Sequence, residues 1–152
     1  MDQTDARILD ALQADARLTA ADVAARTGLD EAAVAARIAR LEADGTIQAR
    51  VTLLDAKKAG VGVTVFVAVV VPEHSPEWIA GFHRALEGFP EVMEFYRMSG
   101  QVDYLLRVAV ADIDAYDRFY KKLIGAAKLK DVSSTFAMEQ VKFTTRLPLD
   151  LG

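Results

Sequence analysis

Between Gly60 and Pro72 runs VGVTVFVAVVV, a nearly unbroken series of β-branched and apolar residues, and few places in a fold accept such a segment. Even extended back to Ala59 the run is 13 residues, short of the ~20 that a membrane-spanning helix needs. It reads instead as a strand buried on both faces. The flanking pattern supports this. HSPEWIAGFHRALEGFP places Trp78, Ile79, Phe82 and Leu86 on one helical stripe, and EVMEFYRM and DYLLRVAV on either side of SGQV read as a β-hairpin. DIDAYDRFYKKLIGAA opens with an aspartate N-cap and carries Ile113, Tyr116, Tyr120, Leu123 and Ile124 at helical spacing. A long last strand, DVSSTFAMEQVKFTTRLPL, is expected to close the chain. The order β-α-β-β-α-β is the ferredoxin-like split unit.

That topology makes a physical demand. Two helices cover one face of a four-stranded sheet, while the first strand has no polar residue beyond Thr64 and the third alternates so that Leu105 and Ala109 share a face with Arg107. An apolar sheet face of this size is an aggregation hazard in a monomer. A second copy packed sheet to sheet about a two-fold axis resolves it.

Residues 1–47 follow the helical period instead. Ile8, Leu9 and Leu12 form a first stripe; Thr19 and Asp22 resemble a shortened capping box opening a second helix; Gly28 marks a tight turn. Asp30 is a suitable N-cap for a third helix, with Val34, Ile38 and Leu41 on one face and Gly45 as its stop. Two helices joined by a short turn make a helix-turn-helix. Geometry leaves both a DNA-reading unit and a packing module open. On the outer face lie Ala32, Ala33, Ala36, Arg37 and Arg40: two arginines suited to phosphate or guanine, and alanines suited only to a thymine methyl. Between the halves, residues 48–60 read as a hinge strand and a basic turn at Lys57 and Lys58.

Charge sharpens the question, because residues 1–50 carry six arginines against nine carboxylates within a chain of net charge −4, and a nucleic-acid binder is expected to be basic. With no cysteine in the sequence, disulfides, zinc-cysteine sites and thiol nucleophiles are excluded. His74 and His83 stand in no metal-ligand or catalytic motif and read as surface or packing groups; Asp112, Asp114 and Asp117 read as helix-start carboxylates. GVG at 60–62 lacks the lysine and second glycine of a phosphate loop. No enzyme, cofactor or metal is indicated. The acidic start MDQTDARILD lacks the features of a signal peptide, so a cytoplasmic location is expected.

LDEAAVAARIARLEADGTIQARVTLLDAKKAG resembles the helix-turn-helix and linker of the leucine-responsive/asparagine-synthase regulator (Lrp/AsnC) family of bacterial transcription factors. MSGQVDYLLRV resembles that family's Gly-x-x-Asp-Tyr segment, and STFAMEQVKFTTRLPL its final strand; the latter, with HSPEWIAGFHRALEGFPEV, is most similar to a branch linked to cysteine catabolism. The resemblance implies an α+β chain: a winged helix-turn-helix DNA-binding domain over 1–47, a hinge over 48–60, and a ferredoxin-like effector-binding and dimerisation domain over 61–152. It implies a sequence-specific regulator of promoter DNA, assembled as dimers and often as tetramers or octamers, and controlled by an amino-acid effector at a subunit interface. DNA contacts would come from Ala32, Ala33, Ala36, Arg37, Arg40 and Arg50, with Lys57 and Lys58 near phosphates. The family commonly has Ser or Thr where Asp30 stands, and polar residues at Ala32 and Ala33. Effector contacts would come from Met98, Ser99, Gly100, Val102, Asp103 and Tyr104, with Ser133, Ser134, Thr135 and Phe136 of the last strand. Asp103 suits an ammonium and the Gly100 turn a carboxylate, although a turn-capping role for Asp103 fits equally. The competing reading is an amino-acid-sensing oligomer that binds a protein partner, with little DNA binding of its own.

Overall fold

The computed structural model describes residues 1–151. The chain forms two compact units: Met1–Thr52 together with the residues from Val141 onward, and Leu53–Gln140.

In the first unit, α1 (Gln3–Ala14), α2 (Ala20–Thr27) and α3 (Glu31–Ala43) enclose a core of Ile8, Leu12, Leu18, Val23, Val34 and Ile38. Local chemistry sets each boundary. Thr19 and Asp22 form a reciprocal capping box at α2, and Gly28 ends that helix at φ 70°, a conformation that strains any residue with a Cβ. Asp30 then accepts from the Ala33 N–H at 2.9 Å and starts α3. The turn between α2 and α3 is thus three residues, Gly28 to Asp30.

The second unit runs β1 (Val63–Val70), α4 (Pro76–Glu87), β2 (Val92–Arg97), β3 (Tyr104–Val110), α5 (Ile113–Ala126) and β4 (Asp131–Phe136). The sheet order is β2-β3-β1-β4, with every neighbouring pair antiparallel. Val65, Val67 and Val69 of β1 and Leu106 and Val108 of β3 meet Phe82 and Leu86 of α4 and Phe119 and Leu123 of α5. The Asp112 carboxylate caps α5 by accepting from Ala115 N–H at 2.7 Å, which accounts for its place at the helix start.

Three expectations are corrected. β1 is buried on one face only, because both helices lie on the same side of the sheet; Phe66 is 40% exposed and Tyr96 51% exposed on the other. The last strand does not run over residues 131–149. It stops at Phe136, because its partner β1 begins at Val63 and the Ala137 N–H to Thr64 carbonyl bond is the final rung. Residues from Val141 onward instead join the helical unit, where the Arg146 guanidinium holds Asp10 at 2.5 Å and the Gln13 amide bonds both N–H and carbonyl of Leu147. Finally, residues 49–54, expected as the strand part of the hinge, have no regular structure: a strand needs a neighbour for its backbone groups, and none is paired with it among the described residues. Among the described residues no helix is long and apolar enough to cross a membrane.

Candidate functional site

Ala32, Ala33 and Ala36 lie exposed along α3, opposite the buried Val34, Ile38 and Leu41. The two arginines of the same helix are placed differently from the expectation of free reading groups. Arg37 Nη1 donates to both carboxylate oxygens of Asp2, at 2.9 and 2.7 Å, and to Asp5 at 2.8 Å. Arg40 Nη2 donates to the other Asp5 oxygen at 2.7 Å, and its Nη1 reaches Asp44 at 3.3 Å. Arg50 is paired with Glu42 at 3.1 Å. Asp5 is the centre of this network, with only 2% of its surface exposed. Burial pushes its carboxyl up, but the Asp2 N–H and the Arg37 and Arg40 guanidiniums outweigh burial and hold it at about 2. These arginines tie α3 to the first turn of α1.

Sequence reasoning takes the acidic residues at the start of α1, Asp2 and Asp5, only as suited to a helix N-terminus and misses their capping box, although the signal was present. An acidic pair three residues apart before an apolar run is capping-box spacing, and the two aspartates do form that box, through bonds of 3.0 and 2.8 Å.

The β2–β3 loop holds Met98, Ser99, Gly100, Val102 and Asp103, with Gly100 at φ 134°. Asp103 serves as a local brace. Its N–H donates to the Val69 carbonyl at 2.9 Å, one carboxylate oxygen accepts from Val71 N–H at 2.8 Å, and the other lies 2.7 Å from His74 Nε2. The Val71 N–H above all, then His74, hold its carboxyl below the usual range. His74, read from sequence as a surface group, is therefore part of the loop's anchorage. Tyr104 does not face the loop; it is 1% exposed beneath α4, with ring centroids 5.3 Å from Phe82 and 5.2 Å from Phe95.

The β4 residues stand apart from this loop within one subunit. Tyr104 is level with Val69 and Phe136 with Val65, a four-residue offset of about 13 Å along β1. Ser134 bonds the Tyr116 hydroxyl on the helix side, Phe136 packs edge-on to Tyr116, and Thr135 lies opposite Phe66 on the open face. Asp103→Ala should strand the buried Val71 N–H and cost about 1–2 kcal/mol. Thermal unfolding and faster hydrogen exchange at the Val71 amide would register this, whereas unchanged protection there would show that the brace is not structural.

A helix-turn-helix joined to a βαββαβ unit with a braced hairpin loop defines a DNA-binding regulator with a ligand-binding domain, and comparison with known proteins narrows the class. Residues 1–48 match the family model for winged helix-turn-helix DNA-binding, and residues 64–147 that of the Lrp/AsnC ligand binding domain. The chain belongs to the Lrp/AsnC family of transcriptional regulators. It is 51% identical over 149 residues to the glutamate uptake regulatory protein of Zymomonas mobilis, covering 98% of this chain and 91% of that one. Its structure is similar to that of an AsnC family transcriptional regulator from Agrobacterium tumefaciens, with TM-score 0.94, 53% identity and 97% of each chain covered. It is also similar to a Neisseria meningitidis transcriptional regulator in complex with L-Met, with TM-score 0.92, 28% identity, and 99% of this chain and 97% of that one covered.

Proposed function

We propose that this chain regulates transcription by placing α3 in the major groove of promoter DNA, as a symmetric dimer, and that an amino acid bound near the β2–β3 loop of a subunit interface changes DNA affinity. The observation that carries the DNA reading is α3 itself: a capped helix following a three-residue turn, with its exposed face free of core contacts. Helices so placed read base edges from their N-terminal half. The solved relative bound to L-Met supports an amino-acid effector. Coupling follows if the effector favours one arrangement of subunits, and hence one placement of the two reading helices.

The residue assignments shift in emphasis. Ala32, Ala33 and Ala36 read thymine methyls, Arg50 serves phosphate by exchanging Glu42 for it, and Arg37 and Arg40 orient α3 from their bonds to Asp2, Asp5 and Asp44. Fluorescence anisotropy with a duplex from the gene's own upstream region and a scrambled one, over a salt series, tests the reading. Selective binding that falls steeply with salt is expected, since displaced counterions report phosphate contacts; equal binding to both duplexes would overturn it. Replacing operator thymines by deoxyuridine removes only the methyl. Each methyl held against an alanine should cost about 0.8 kcal/mol, roughly fourfold in affinity. Undiminished binding to the deoxyuridine duplex would remove the alanine face from base reading.

A further inference from the structure

A cleft of about 460 Å³ opens between α4 and strand β2, walled by Leu86, Phe89, Met93 and Phe95. Its volume is in the range of small-molecule sites. Two features of its lining are unexplained by folding alone. The Tyr104 hydroxyl and His83 Nε2 are buried without any hydrogen-bond partner, and native structures rarely leave such groups unsatisfied. Their rings stand edge to face with centroids 5.6 Å apart, so the two orphaned groups belong to one wall. At the rim, Arg97 and Glu87 line the same cleft, and neither makes an ion pair or side-chain hydrogen bond among the described residues. Glu94, by contrast, is occupied by Arg107 and Tyr96.

One unpaired cation, one unpaired anion, an aromatic wall and two buried polar atoms without partners together form the complement of a particular chemistry. We infer that this cleft is a second small-molecule site, binding a free amino acid whose aromatic side chain carries a hydrogen-bonding tip. The carboxylate of the ligand lies on Arg97 and its ammonium on Glu87. Its ring packs against Phe95 and Phe89, and its polar tip meets Tyr104 and His83.

The position gives the site a consequence. Arg97 is the last residue of β2 and Tyr104 the first of β3, so they are the two stems of the loop Met98 to Asp103. A ligand bridging them holds the loop's ends from the helix side, away from Asp103, which faces Val71 and His74. The site stands on its own lining and does not depend on where the loop's effector binds.

Isothermal titration of the full-length protein with L-tryptophan is the test, with L-alanine and indole-3-propionate as probes lacking the ring and the ammonium. Saturable binding of L-tryptophan is expected, weakened about tenfold or more by Arg97→Ala and by Tyr104→Phe, and at least tenfold tighter than either control. Glu87→Gln, on α4 and outside the Met98–Asp103 loop, should weaken it as well. No binding at millimolar L-tryptophan, or binding undiminished by Glu87→Gln and by Arg97→Ala, would overturn the proposal and leave the loop site standing. Tyr104→Phe supplies an independent reading. Removing an orphaned hydroxyl should leave the melting temperature of the free protein unchanged or raised, and a clear fall would show that the hydroxyl already has a partner.

Discussion

Replacing Asp5 with alanine is expected to destabilise the helical unit by roughly 3 kcal/mol, the scale of removing one member of a buried ion pair. The carboxylate is 2% exposed and receives Arg37, Arg40 and the Asp2 N–H. Its loss removes half of the α1 capping box and leaves two guanidiniums facing each other without their common anion. Both arginines are partly open to water, which places the cost at the lower end of such cases. The pH dependence has a definite sign. In the folded chain the Asp5 carboxyl titrates at about 2, below the ~3.9 of an unfolded aspartate. Its stabilisation is therefore complete above pH ~4 and is lost as pH falls from there toward 2. Circular dichroism melts across that window should show this loss in the parent. Asp5→Asn, which keeps the shape but not the charge, should lack Asp5's contribution to the slope. Equal slopes in parent and variant would show that the arginines do not depend on Asp5.

The same network explains what was legible in the sequence. Arg37 and Arg40 were readable as residues of an outer helix face because period 3.6 places them there. Their engagement was not, since it depends on the first turn of α1, more than thirty residues away, and no helical periodicity reports a partner at that separation. The caps Thr19, Asp22 and Asp30 were legible because each acts on a backbone N–H three residues away, Thr19 and Asp30 on one ahead and Asp22 on the Thr19 N–H behind, within reach of local pattern. β4 was overextended for the opposite reason. Residues 137–147 have strand composition, but the length of a strand is set by the neighbour it pairs with, here β1. The turn Ser99 to Val102 was placed correctly between two strands, whereas Met98 and Asp103, expected as strand ends, fall in the loop; Tyr104, expected in the third strand, was grouped with the effector residues only by the family's Asp-Tyr motif. Alternation along β3 turns its side chain to the helix side, together with Leu106 and Val108.

Phe66→Lys should weaken the proposed sheet-to-sheet dimer by a factor of 100 or more while leaving each subunit folded. Phe66 stands on the sheet face opposite the helices, with Ala68, Leu105, Ala109 and Tyr96 as apolar neighbours. In the single chain it is 40% exposed, so an ammonium there stays hydrated and the core of Val65, Val67 and Val69 is untouched. Sheet-to-sheet association would desolvate it. Its cross-strand neighbour is Arg107, whose carboxylate partner Glu94 is already engaged at 2.6 Å, and the other carboxylate on this face, Asp131, stands level with Val70, four residues along β1 from Phe66, about 13 Å away and too far to pair with the new charge. An unpaired buried charge costs about 3–5 kcal/mol, which corresponds to at least a hundredfold in dissociation constant. Sedimentation velocity at micromolar protein should therefore show monomer for Phe66→Lys and dimer for the parent and for Phe66→Leu. DNA affinity should fall with it, because two reading helices on one dimer engage two half-sites at high effective concentration and a monomer engages one. A dimer that survives Phe66→Lys would exclude this face as the interface. DNA affinity that survives dissociation would show that one copy of α3 suffices to bind.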